Sequence, residues 1–216
     1  MTAFGKSTLN EIMSSKSWRA RQESDPYVRK ARESGYRARA AFKLIELDER
    51  DRLFEGGSRV VDLGAAPGSW SQVARERLGE DARIFALDLL PMEPIPGVDF
   101  LIGDFRENEV LEQLEELLQG SKVDLVLSDM APNLSGIAPS DQARSVYLAE
   151  LALDFARSWL DISGKLVVKV FQGAGFDELL TEFRRTFKTV KIRKPAASRS
   201  ESREVYLVGI SLKAGA

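Results

Sequence analysis

The chain of 216 residues contains no cysteine and no histidine. The first absence excludes disulfides, a thiolate nucleophile and any cysteine-ligated metal. The second removes the imidazole base, and with it every Ser-His-Asp arrangement. A catalytic proton transfer must therefore fall to lysine, aspartate, glutamate, tyrosine or water. Long apolar runs are missing too. No stretch approaches the roughly 18 residues that span a bilayer, and Met1 to Glu11 lacks the apolar centre of a secretory signal. These absences predict a cytoplasmic protein without membrane association.

Hydrophobic residues make up 44% and charged residues 30% of the chain, ordinary for a soluble domain with a real core. The length fits one globular domain with a short extension. A net charge of −2 hides an uneven distribution. Met1 to Lys43 carries ten basic residues against four acidic ones, and Arg184 to Arg203 carries eight against one. Two basic ends on an acidic body suggest one face aimed at a polyanion, although either segment alone could be a solvated face. Residues 1–37 read as a basic arm and 38–216 as a single domain. Trp18, Tyr27 and Tyr36 in that arm suit either base stacking or attachment to the body.

From Ala38 to Leu53 the pattern is that of an amphipathic helix, with Ala41, Leu44, Ile45 and Leu47 on its apolar side. Strand and helix then alternate. Strands are expected at Arg59–Leu63, Arg83–Leu87, Asp99–Ile102, Val123–Leu127 and Lys165–Phe171. Helices are expected at Trp70–Arg77, Glu107–Leu118, Ala143–Leu160 and Phe176–Phe187. Two last strands, Thr189–Arg193 and Glu204–Ile210, flank a loop too short for a crossover helix and should form an antiparallel hairpin. The prediction is an α/β fold with a mostly parallel seven-stranded sheet, a C-terminal antiparallel hairpin and helices on both faces.

Ligands of such sheets sit beyond the carboxyl ends of the strands. The first strand ends in Asp62-Leu63-Gly64-Ala65-Ala66-Pro67-Gly68, where Gly64 and Gly68 permit a tight turn and close approach to a ligand. The spacing is neither the G-x-G-x-x-G of dinucleotide sites nor a P-loop, so a nucleoside without a pyrophosphate fits better. Asp88 ends the second strand, where a carboxylate can accept both hydroxyls of a ribose. Asp104 follows the third strand and could receive an adenine amino group, with Phe105 flanking the ring. This succession resembles the Rossmann-like class I S-adenosylmethionine-dependent methyltransferases.

Lys169 lies inside the run Leu166-Val167-Val168-Lys169-Val170-Phe171, where an ammonium is costly unless it is paired, neutral, aimed into a site or snorkelling out at the sheet edge. Asp129 follows the fourth strand, Glu204 opens the last, and Lys43 sits on the first predicted helix. Asp62 to Trp70 (DLGAAPGSW), Ser128 to Gly136 (SDMAPNLSG), Val167 to Gly173 (VVKVFQG) and Ser202 to Val208 (SREVYLV) closely resemble the heat-shock ribosomal RNA large-subunit methyltransferase E family. The resemblance runs from about Ser34 to the end of the chain. It implies methylation of a uridine 2′-hydroxyl in 23S ribosomal RNA by a Lys-Asp-Lys-Glu tetrad on Lys43, Asp129, Lys169 and Glu204. It also implies S-adenosylmethionine contacts at Gly68, Trp70, Asp88, Asp104 and Asp129, with S-adenosylhomocysteine as product. Ser69 departs from the usual Gly-Gly-Trp run, while Gly68 keeps the turn.

The chemistry is consistent with that tetrad. A ribose hydroxyl must lose its proton as it attacks a sulfonium methyl, and a lysine can accept it only when neutral, against an ordinary pKa of about 10.4. Burial and a second cation lower a lysine pKa, whereas Asp129 and Glu204 favour the charged form and more readily orient the lysines and the ribose. No metal is required. The expected partner is ribosomal RNA within the large subunit or its precursor, bound by a monomer. A transfer RNA 2′-O-methyltransferase, a non-catalytic RNA-binding assembly factor and a small-molecule methyltransferase are the rival readings.

Overall fold

A computed structural model describes residues 25–132 and 135–215. Most of the basic arm, Trp18 included, lies outside the described residues. In chain order the elements are α1 (Pro26–Glu33), α2 (Ala40–Asp51), β1 (Arg59–Leu63), α3 (Ser69–Leu78), β2 (Arg83–Asp88), β3 (Val98–Ile102), α4 (Asn108–Leu118), β4 (Val123–Ser128), α5 (Ala138–Trp159), β5 (Leu160–Phe171), α6 (Phe176–Thr186), β6 (Phe187–Arg193) and β7 (Glu204–Leu212). The strands form one sheet in the order β3-β2-β1-β4-β5-β7-β6. All pairings are parallel except those of β7 with β5 and with β6.

Side chains alternate across the sheet with a period of two, so each strand feeds two cores. On one face Val61, Leu63, Phe85, Val126, Val168 and Leu207 pack against α4, α5 and α6. On the other, Val60, Ile84, Leu125, Leu127, Val167 and Tyr206 pack against Ala41, Leu44 and Leu47 of α2 and Trp70 and Val73 of α3. Each leucine or valine so buried is worth about 1.5–3 kcal/mol. The sheet is therefore fixed in register, because a slip of one residue would turn its apolar side chains to the wrong face. Registers of this kind set the side on which each polar residue emerges.

Three boundaries differ from the sequence reading by more than two residues. The segment read as arm contains α1, begun by the Asp25 side chain accepting the Tyr27 N–H at 2.9 Å, with Pro26 in the first turn. Tyr27 and Tyr36 lie 5.8 and 5.7 Å from the Phe42 ring, so these two aromatics attach the segment to α2. The folded body thus extends back at least to Asp25. Helix α5 starts at Ala138 instead of Ala143, because Pro139 is tolerated in a first turn, where its missing N–H costs nothing. Strand β5 starts at Leu160 instead of Lys165, through a bulge that pairs Leu160 with Val123.

Candidate active site

The parallel strands β1, β4 and β5 end along one edge, and antiparallel β7 begins there. Because Leu127 and Val167 face α2 and α3, the period of two sends Asp129 and Lys169 toward the same side. Strand register places Lys169 opposite Tyr206 and Phe171 opposite Glu204. Lys43 approaches from α2, which covers this face. Two residues delivered by parallel strands, one from the antiparallel strand and one from a helix thus converge.

The contacts are direct. Lys169 Nζ stands 3.0 Å from Asp129 Oδ1 and donates to the Asp129 carbonyl oxygen at 2.5 Å. Lys43 Nζ donates to Glu204 Oε1 at 2.6 Å and to the Tyr206 hydroxyl oxygen at 3.2 Å. The Tyr206 hydroxyl donates to Asp129 Oδ1 at 2.7 Å, which joins the two ion pairs into one network. The Ser198 hydroxyl donates to Glu204 Oε1 at 2.8 Å. Lys169 is 8% exposed, Asp129 18%, and Lys43 and Glu204 12% each, so the charges are sheltered from solvent yet reachable.

Burial pushes the Asp129 carboxyl up, but the Lys169 and Lys43 charges and the hydrogen bonds from Tyr206 and Lys169 outweigh it and hold the group below its ordinary value. Burial raises the Tyr206 phenol well above 10.0, and Asp129 and Glu204 add to the effect. Tyr206 is therefore a neutral donor between charged groups. Asp62 lies on the same face. Burial raises it to about 7, opposed by the Ser71 hydrogen bond and reinforced by Asp129 and Asp88.

The glycine turn lies beside this network. Gly64 has φ +77°, and a Cβ there would stand 2.7 Å from Met130 Cγ and 2.9 Å from the Met130 nitrogen, so only glycine lets the two segments approach this closely. Gly68, φ +104°, caps the amino end of α3. Arg37 binds the turn to the segment after β2, donating from Nη1 to the Pro67 oxygen at 2.9 Å and from Nη2 to the Pro94 oxygen at 2.9 Å. Asp88 accepts the Ala66 and Leu90 N–H groups at 2.9 and 2.8 Å, which fixes its carboxylate while leaving lone pairs free. Asp104 is held by Arg106, whose hydrogen bonds are the main reason its carboxyl lies below its ordinary value.

All four tetrad positions thus meet in one network, and Gly68, Asp88 and Asp104 lie along the same edge. Two aromatic side chains of the expected site pack into the core. Trp70 is 2% exposed, and its indole donates to the Ala40 oxygen at 2.8 Å and packs on Tyr206. Phe105 turns toward the core edge-on to Phe155. Tyr206 was missed, although it stands two residues after Glu204 on one strand and therefore shares its face. Ser198 and Arg37 act through tertiary contacts that no local pattern announces.

The FtsJ-like methyltransferase family model matches residues 36–212. The Ribosomal RNA large subunit methyltransferase E of Azoarcus sp. is 61% identical over 199 residues, covering 92% of this chain and 97% of that protein. The protein of the same description from Neisseria meningitidis serogroup C is 57% identical over 196 residues, 91% of this chain and 95% of its own. A crystal structure described as a ribosomal RNA methyltransferase from Plasmodium falciparum superposes with a TM-score of 0.73 at 32% identity, covering 82% of this chain and 98% of that one.

Proposed function

Because the chain belongs to the FtsJ-like methyltransferase family, we propose that it transfers a methyl group from S-adenosylmethionine to the 2′-hydroxyl of a uridine ribose in 23S ribosomal RNA. The observation that carries this reading is the network in which Tyr206 joins the Lys169–Asp129 and Lys43–Glu204 pairs. The relatives' descriptions as large-subunit ribosomal RNA methyltransferases supply the substrate class. The reading includes a monomer that acts in the cytoplasm on the large subunit or its precursor. Among the described residues no helix is long and apolar enough to cross a membrane.

The residues present suit the cofactor. The Gly64–Gly68 turn brings bare backbone to the strand edge, and Asp62 Oδ1 is a buried oxygen without a partner at its foot. S-adenosylmethionine, when bound, supplies an electrophilic methyl on a sulfonium. Gly68 and Trp70 would line its path, Asp88 would accept its ribose hydroxyls, Asp104 its adenine amino group, and Asp129 would lie toward its methionine end. Lys169 Nζ is the atom assigned to take the proton from the ribose hydroxyl. It must be neutral to do so. Asp129 and Glu204, paired with the two lysines, orient them and the ribose. Holding the hydroxyl in line with the methyl is itself a large contribution, because it replaces a bimolecular encounter.

The test is labelled methyl transfer to large ribosomal subunits from cells lacking the modification, followed by mapping of the methylated nucleotide. Lys169→Ala is expected to abolish transfer while cofactor affinity stays within a few-fold. Unchanged turnover in that variant, or a label found on transfer RNA, overturns the reading.

A further inference from the structure

A hollow of about 510 Å³ opens between the start of α5 and the segment ahead of α6. Its walls are Ala138, Pro139, Ala143 and Val146 of α5 and Ala174 and Gly175 ahead of α6, with Arg203 at its rim. The size falls within the about 300–1,000 Å³ typical of small-ligand sites, and the walls are apolar with few polar groups, as such sites require. Ala138, Pro139, Ala143, Ala174 and Arg203 are all exposed.

Gln142 marks this hollow as more than a packing defect. It is 4% exposed, and its Nε2 donates to the Phe171 and Ala174 oxygens at 2.8 and 3.1 Å. Those two acceptors fix the amide orientation, because the reverse would oppose oxygen to oxygen. Its Oε1 is left buried without a partner, which costs about 1–3 kcal/mol unless a donor arrives. Gly173 keeps the space in front of that oxygen clear, since a Cβ there would stand 2.8 Å away.

The hollow lies at the end of β5 that carries Lys169. Phe171, whose carbonyl holds Gln142, lies two residues beyond Lys169 on β5, about 6.6 Å along a strand. Phe171 is registered opposite Glu204, and the Gln172 N–H donates to the carbonyl oxygen of Arg203 at 3.0 Å. A chain crossing this edge with one ribose at Lys169 brings the next nucleotides over the hollow. Flat apolar walls, a guanidinium at the rim and an unmatched buried acceptor suit a nucleobase, which offers two apolar faces and N–H donors on its edge.

Resting on the RNA methyltransferase reading, we infer that this hollow receives the base of a nucleotide within two positions of the methylated one. The absence of cysteine makes the test clean. Ala143→Cys and, as a control near the opposite end of β5, Ser163→Cys each carry a unique thiol for a short photoreactive label. Both are bound to unmodified large subunits with S-adenosylhomocysteine and irradiated, and the cross-link is mapped by primer extension. The label at position 143 is expected to join ribosomal RNA within two nucleotides of the methylated uridine, and the label at 163 to give no link there. Ala143→Asp, which places a like charge before the RNA, is expected to raise KM for subunits at least tenfold, with kcat and cofactor affinity within threefold. Bound Ala143→Cys protein that links elsewhere or not at all overturns the inference, as does an unchanged KM in Ala143→Asp. Failure of the wild-type chain to methylate the subunits would instead overturn the reading on which it rests.

Discussion

Asp62 is buried at 0% exposure in β1, with one oxygen taking the Ser71 hydroxyl at 2.7 Å and the other without a partner. Burial raises its carboxyl from 3.8 to about 7. Between about pH 4 and 7 the folded chain holds a proton that the unfolded chain has released, so stability falls as pH rises and levels off above 7. At about 1.4 kcal/mol per tenfold change in proton affinity, the whole effect is about 4 kcal/mol, of which about 2 kcal/mol falls between pH 5.5 and 8. Asp62→Asn keeps an oxygen for Ser71 and never ionises. In urea unfolding the wild type is expected to lose about 2 kcal/mol across that window relative to Asp62→Asn, which should be the more stable protein at pH 8. The chain has no histidine, so no side chain with an ordinary pKa near 6.5 obscures the comparison. Parallel pH profiles for the two proteins would refute the assignment of a protonated Asp62.

Tyr206→Phe removes the hydroxyl that joins the two ion pairs, a hydrogen bond to charge worth about 1.5–3 kcal/mol. Its kcat is expected to fall about 10–100-fold with cofactor affinity, measured by calorimetry, unchanged. The Asp51 side chain is fully buried between Lys191 and Arg193, each 2.8 Å away. Asp51→Ala is expected to lower stability by about 3 kcal/mol in urea unfolding, because two cations lose their buried partner. Asp141 accepts from the Ser135 N–H, the Ser135 hydroxyl and the Gly136 N–H, so it ties down the segment that follows Asp129. Asp141→Ala is expected to speed proteolytic cleavage near 131–137 and to lower kcat/KM for subunits, while the unfolding midpoint moves little.

Strands whose residues alternate or run apolar were legible because their pattern and their burial have the same cause. Arg59–Leu63 and the β6–β7 hairpin are examples. Helix α1 was not, since only Ala31 of its eight residues is buried, although Asp25-Pro26 is a cap and first-turn pair that sequence carries. The five residues from Ala138 to Gln142 read as loop because Pro139 and polar neighbours outweighed a helix that tertiary packing continues. In the site, Lys169 stood out as a charge in an apolar strand, and the resemblance singled out Asp129, Lys43 and Glu204. Tyr206 did not, because a tyrosine inside a strand is ordinarily a core residue, and here it is both: its ring packs on Trp70 while its hydroxyl reaches Asp129. Trp70 is read in the motif as a ligand contact, and its side chain also fills the core against Tyr206.

The antiparallel strand explains why this edge can hold four charges. Parallel strands deliver only their last residues to the carboxyl edge, one or two per strand, and each neighbour does the same. A strand that enters from that edge contributes its first residues, so Glu204 and Tyr206 stand beside Lys169 while parallel β4 delivers Asp129 from the other side. Lysine on β5 is thereby flanked by a carboxylate on one side and a phenol on the other, and the phenol relays to the second ion pair. Direct cross-strand neighbours are about 4.5–5.5 Å apart, near enough for this relay without distorting either strand. The same arrangement makes the network wait for the end of the chain. Lys43 and Glu204 are 161 residues apart, and their bond requires β7 to be seated between β5 and β6. The cofactor turn of β1, by contrast, rests on pairings with β2 and β4 made by the first 130 residues. Binding of the proposed methyl donor and assembly of the charged network are therefore separable properties of one sheet, and substitutions in β7 should divide them.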